Sequence, residues 1–187
     1  MHYCALLFTE KLPSEAKISR IMEPFNWQKL EFEEDELIGQ YPTFTYEYYT
    51  VGGRYGGGLK LKVDENDEIY RWGFYAKEPR NGRLFLSKIL SVMEEDIKPK
   101  FRFKEENYFS YMGIYDGFIY VDGAWAKDIL NYHELQPYIC IDLDGKAIAR
   151  QSWDGENFIE DEAYEEKYKA ILERNQESFV TVLAIHD

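Results

Sequence analysis

The apolar positions draw the first outline of the fold. Tyr3 to Thr9 is a mostly apolar run suited to an interior strand. Pro13 stands where a helix can begin, because its missing N–H costs nothing in a first turn. Ile18, Ile21 and Met22 then share one helical face, and Pro24 ends the helix. Gln28 to Asp35 is polar and acidic and predicts a loop. Thr43 to Val51, dense in β-branched and aromatic residues, predicts a strand. Leu59, Leu61 and Val63 alternate with lysines, and the acidic turn Asp64–Glu68 leads into Ile69–Ala76, which together predict a hairpin. After Asn81-Gly82, the stripe Leu86, Ile89, Leu90, Met93 and Ile97 predicts a helix.

Asp-Gly pairs at 116–117, 122–123, 144–145 and 154–155 punctuate the second half, and such pairs tolerate the positive φ of tight hairpins. The clearest hairpin joins Tyr138–Leu143 to Lys146–Gln151. A last helix begins in Glu160, Asp161 and Glu162, ends near Arg174, and buries Tyr164, Tyr168, Ile171 and Leu172. Phe179 to Ile185 closes the chain as a buried strand. The chain thus opens β-α and closes α-β with hairpins between. The expected fold is α+β, a single domain over 1–187 with helices packed on a mainly antiparallel sheet.

Composition narrows the class. Aromatic residues make up 17% of the 187 positions, which excludes a disordered chain and can fill one sizeable core. No stretch approaches the ~20 apolar residues of a membrane span, and the start lacks a basic leader, so a cytoplasmic protein is expected. Two cysteines make no disulfide framework, and both lie in strand patterns that predict burial.

Charge changes the picture more. The net charge is −13, and residues 101–187 carry 8 basic and 18 acidic side chains. That balance opposes direct binding to nucleic acid or an anionic membrane. It suits a partner with a basic surface, as well as ordinary solubility. Residues 54–104 run the other way, with 12 basic and 8 acidic side chains, and leave room for one small anionic ligand.

The chemistry-bearing candidates are few. Gly52, Gly53, Arg54 and Tyr55, followed by three more glycines, form a corner where backbone approaches closely and a guanidinium can grip phosphate or carboxylate. The segment lacks the Lys-Ser/Thr of a P-loop, and a strand pattern follows it. It also fits a bulge or strand corner with Arg54 paired to an internal carboxylate. His186 ends the last strand and could reach a cleft; Lys127 and Trp153, the latter beside Asp154-Gly155, complete a candidate ligand-binding set. Asp142 and Asp144 share one strand side but read as a solvated hairpin end. No Gly-x-Ser-x-Gly, catalytic cysteine context or metal spacing of the three histidines is present, so no catalytic residue, metal or cofactor is expected.

These residues together resemble a family of uncharacterised bacteriophage and prophage proteins. The resemblance rests on His2-Tyr3-Cys4-Ala5-Leu6-Leu7-Phe8, Glu23-Pro24-Phe25, and the aromatic strand Tyr48-Tyr49-Thr50-Val51 running into Gly52-Gly53-Arg54-Tyr55-Gly56, with Tyr55 where the family has tryptophan. Asp122-Gly123-Ala124, Lys127-Asp128-Ile129, Asp144-Gly145 and Trp153-Asp154-Gly155 follow in order. The family's closing Asp-Cys-His keeps only His186, and residues 64–110 match weakly, as a family-variable insertion would. The resemblance implies a viral setting in a bacterial cell and no particular reaction. The leading expectation is a non-catalytic anti-defence (anti-CRISPR-like) or host-takeover inhibitor whose acidic surface binds a basic host protein, such as a nucleic-acid-binding defence effector. The alternative is a protein that binds or sequesters a nucleotide or cyclic oligonucleotide, or cleaves it as a phosphoesterase, with the Gly-Gly-Arg corner as phosphate site.

Overall fold

Two long apolar strands form the centre of the protein. The computed structural model describes residues 1–34, 36–55, 57–62, 112–115 and 118–187. Strand β1 (His2–Thr9) pairs antiparallel along its whole length with the last strand (Phe179–His186), from His2 opposite His186 to Thr9 opposite Phe179. Both are buried through most of their length, as apolar runs in a sheet covered on both faces must be. On its other edge β1 takes Ile139–Ile141 in parallel, and Ala147–Ala149 extends the sheet antiparallel beyond that. The far edge of the last strand is shared, with Tyr48–Val51 along its C-terminal half and Gly123–Trp125 along its N-terminal half.

In chain order the elements are β1; α1 (Glu15–Met22); β2 (Phe32–Glu33) and β3 (Glu36–Leu37); β4 (Tyr48–Val51); β5 (Leu59–Lys62); β6 (Met112–Tyr115); β7 (Phe118–Val121); β8 (Gly123–Trp125); the single turn α2 (Tyr132–Leu135); β9 (Ile139–Ile141); β10 (Ala147–Ala149); β11 (Gln151–Trp153); β12 (Phe158–Glu160); α3 (Tyr164–Arg174); and β13 (Phe179–His186). The main sheet runs β10-β9-β1-β13-β4 with β8 also on β13, and β5-β7-β6 forms a separate three-stranded sheet. The architecture is α+β with a mixed, mainly antiparallel sheet and helices packed against it.

Strand alternation sorts the core into two clusters. Leu6, Phe8, Val180 and Val182 meet Tyr164, Tyr168, Ile171 and Leu172 of α3 on one face. Ala5, Leu7, Leu183 and Ile185 meet Ile18 and Met22 of α1 on the other. Each Val, Leu, Ile, Phe or Met side chain among them, fully buried, stabilises the fold by roughly 1.5–3 kcal/mol. Ser14, not Pro13, caps α1, its hydroxyl accepting the Lys17 N–H at 3.2 Å. The Asp144-Gly145 hairpin forms as expected, with Gly145 N–H donating to the Asp142 carbonyl at 2.9 Å.

Several expectations shift. Only Tyr48–Val51 of the Thr43–Val51 run is strand; ahead of it Tyr46 exchanges backbone hydrogen bonds with Phe25 and Trp27, and is buried. Those aromatic positions serve packing rather than a ladder. The Gln28–Asp35 stretch holds the end of a 3-10 turn (Trp27–Lys29) and the two-residue strand β2. Asp122-Gly123 is a bend rather than a hairpin turn, where the chain leaves β5 and takes β13 as partner. Helix α3 starts at Tyr164, because Phe158–Glu160 is held in β12 against β11 and Asp161 then turns the chain. Strand β5 pairs with β7. Its expected partner Ile69–Ala76, the helix after Asn81-Gly82, the Asp116-Gly117 turn and the 64–110 insertion lie outside the described residues. No helix among the described residues is long and apolar enough to cross a membrane.

Candidate functional site

The glycine corner is built around a buried carboxylate. Gly52 and Gly53 follow β4 with φ of +67° and +50°, values that favour glycine. Asp122, fully buried at the bend between β7 and β8, accepts the Gly57 N–H at 2.6 Å. A Cβ on Gly52 would stand 2.4 Å from its Oδ2. One on Gly53 would meet Thr50 Oγ1 at 2.3 Å and the Ala184 Cβ at 2.7 Å. The corner therefore wraps a carboxylate on one side and lies flat on β4 and β13 on the other. Sequence alone offered Arg54 as the partner of an internal carboxylate. Here backbone N–H meets that carboxylate, while Arg54 is exposed and makes no ion pair among the described residues.

Arg54 is instead turned towards the end of the sheet. The β1–β13–β4 register sets His2, His186 and Tyr48 in one row. The His2 and His186 rings meet edge to face at 4.7 Å, and Tyr48 stacks on His186 at 4.5 Å with 11° between planes. Tyr55, next to Arg54, donates its phenol to the His2 carbonyl at 2.9 Å and so fastens the corner over this row. Partial desolvation lowers the His2 pKa, and the nearby His186, Arg54 and N-terminal amine lower it further. His186 Nδ1 is 3.3 Å from Glu47 Oε2, without hydrogen-bond geometry. Of the expected set, Arg54 and Tyr55 thus lie near His2, whose ring meets His186, while Gly52 and Gly53 sit further down β13 beside Val182 and Ala184.

The other two expected residues lie elsewhere. Lys127 sits beyond the opposite end of β13, its backbone N–H on the Gln176 carbonyl and its ammonium 2.9 Å from Glu177. Seven residue steps of β13 put it roughly 23 Å away along the strand. Trp153 is on the β11–β12 hairpin and lines a cleft on the α1 side of the sheet. Asp142 is occupied by Arg174 and Asn175, and Asp144 by the backbone and ammonium of Lys146. Among the described residues no three of His, Cys, Asp and Glu could hold a metal ion. Burial pushes the Cys4 thiol up to about 12 and raises Cys140 as well, so neither is a ready nucleophile.

That cleft was not anticipated as a site. It has a volume of about 340 Å³, within the range of pockets that hold a small ligand or a side chain. Tyr3 and Tyr138, stacked at 4.4 Å, and Phe44 lie among its lining. Trp27 stands in it too, and Trp153 is set edge-on to Phe158 at 5.0 Å. Trp27, Trp153 and Phe158 are 45%, 37% and 68% exposed, unusual for rings of this size. Glu47 and Asp187 bring carboxylates to it, and none of its lining residues among those described is Lys, Arg or His. Trp153 was recognisable from its place beside a turn; the others come from segments far apart in sequence.

The surrounding charge is similarly biased. Of the cations after residue 117, Lys127, Lys146, Arg150, Lys167 and Arg174 each pair with a carboxylate of the same half. Asp128, Glu134, Asp154, Glu156, Glu160, Glu162, Glu166 and Glu173 have no cation at ion-pair distance among the described residues. Among the described residues the acidic excess is therefore not neutralised internally. Comparison with protein families, with curated proteins and with solved structures finds no match to this chain.

Proposed function

We propose that this is a non-catalytic binding protein that holds a basic segment of a partner protein in the aromatic cleft beside Trp27 and Trp153. One observation carries the reading: exposed aromatic rings and two carboxylates line a single cleft that has no cationic lining residue among the described residues. Ring faces attract Arg and Lys through their quadrupole, and carboxylates add charge without desolvating a full ion pair. The cleft accommodates one or two side chains, so the acidic surface around it would supply steering and breadth. The setting is the one the phage resemblance implies, a host protein met in the bacterial cytoplasm, with a nucleic-acid-binding defence effector as a partner of suitable charge.

The test is a tryptophan-fluorescence titration with a short Arg/Lys-rich peptide and a Glu-rich peptide of equal length. The basic peptide should bind, more weakly as salt rises. Trp153→Ala should weaken it about 3- to 30-fold, the range of one cation–π contact. Equal binding of the two peptides, or no binding of the basic one at low ionic strength, would remove the reading.

A further inference from the structure

We infer that the corner carrying Arg54 is a separate anion site, built for the phosphate group of a nucleotide, with Tyr48 beside it as a stacking surface for the base. The site lies on the opposite face of the sheet from the aromatic cleft, with Glu47 and Asp187 at the edge between them. His2, His186 and Tyr48 alternate to the α3 side of the sheet, whereas Tyr3 and Phe44 belong to the α1 side.

Three observations converge on it. Arg54 is an exposed guanidinium with no ion pair among the described residues, in a protein that pairs five cations of its second half with carboxylates. Positive or protonatable groups crowd its neighbour His2: His186, Arg54 and the Met1 ammonium all act on that ring. Their mutual repulsion is what an anion would relieve. The backbone that carries it is also fixed, because the Asp122 carboxylate holds the glycine corner and Tyr55 ties it to the His2 carbonyl. A guanidinium on that backbone can grip phosphate bidentately.

The groups facing His2 are His186, Arg54, the Met1 ammonium and Tyr55; Glu47 and Asp187 are the carboxylates at this end of the sheet. Glu47 lies against His186 rather than Arg54, which leaves the guanidinium to the ligand. Tyr48 is 51% exposed although one side of its ring rests on His186, so the ring is open to a base. The imidazoles touch edge to face, and no phosphoryl group fits between them. They therefore lie on one side of a ligand and do not straddle a scissile bond as acid and base would. The arrangement binds and does not cleave.

Proton NMR of the histidine rings tests this, with inorganic phosphate and a nucleoside monophosphate as probes. Phosphate should raise the His2 titration midpoint, because a bound anion favours the imidazolium. Arg54→Ala should cost about ten- to a hundredfold in affinity, the worth of hydrogen bonds to a charged group, without changing thermal stability. Arg54→Lys should recover part of it. The nucleotide should bind more tightly than phosphate, and Tyr48→Ala should remove only that difference. An unmoved His2 midpoint, or equal phosphate binding by Arg54→Ala, overturns the site. Equal affinity for the two probes overturns the stacking role of Tyr48.

Discussion

Replacing Gly52 by alanine tests how the corner is built. Its φ of +67° is left-handed, which costs a residue with a Cβ about 1–2 kcal/mol. The new methyl would stand 2.4 Å from Asp122 Oδ2 and 2.6 Å from its Cγ, against a side chain that is fully buried and hydrogen-bonded. Overpacking of that kind costs about 1–3 kcal/mol more, giving about 2–5 kcal/mol in all. For a chain of this length the melting temperature should fall by about 4–20 °C, and urea unfolding should shift its midpoint in step. Gly145→Ala is the control: its φ is +79°, but nothing lies within 4 Å of the new Cβ, so only the backbone cost of about 1–2 kcal/mol applies. A second control removes the obstacle. In an Asp122→Ala background, Gly52→Ala should cost less than in the native protein, because the two residues share one contact. Equal losses for Gly52→Ala and Gly145→Ala, with no coupling to Asp122, would refute the picture of a loop closed around a carboxylate.

Two hydroxyls on α3 should behave oppositely. Tyr168 Oη is buried with no hydrogen-bond partner among the described residues, so Tyr168→Phe should be neutral or stabilising by chemical denaturation. Tyr164 Oη donates to the Pro137 carbonyl at 2.7 Å, and Tyr164→Phe should cost about 1 kcal/mol. The Asp142 carboxyl titrates low: burial pushes it up, but Arg174, the Leu143 N–H and Asn175 together hold it below its ordinary value. A depressed carboxyl adds stability that is present above the unfolded value, about pH 3.9, and lost as pH falls through the folded one. Asp142→Asn should therefore be less stable than the native protein near neutrality, and the gap should close in acid, as read from urea midpoints across pH.

The elements legible in sequence are those whose own period decides them. Tyr164, Tyr168, Ile171 and Leu172 repeat at helical spacing and form the buried face of α3. The apolar runs Tyr3–Thr9 and Phe179–Ile185 are the two central strands, because a sheet covered on both faces needs no alternation. What sequence does not carry is long-range pairing. Nothing local says that Ile139–Ile141 lies parallel to β1, or that Asp122 sits inside a corner opened 70 residues earlier. The same limit divides the candidate site. His186 comes to the same end of the sheet as the glycine corner through the register of β13 with β1 and β4, whereas Lys127 follows β8 to the other end of the same strand. Trp153 announces itself beside a turn, but Trp27 and Phe44 join it only because α1 and the 3-10 turns after it fold against the sheet.

The central claim is that the acid-edged aromatic cleft receives a basic segment, and the tryptophan indole N–H signals read it directly. Trp27 and Trp153 line the cleft, whereas Trp125 is 40% exposed on β8, packed edge-on against Phe179 and outside the cleft. On titration with an Arg/Lys-rich peptide, the Trp27 and Trp153 signals should move together and saturably while Trp125 stays in place. Movement of Trp125 alone, or no movement of Trp27 and Trp153 at saturation, would contradict the account.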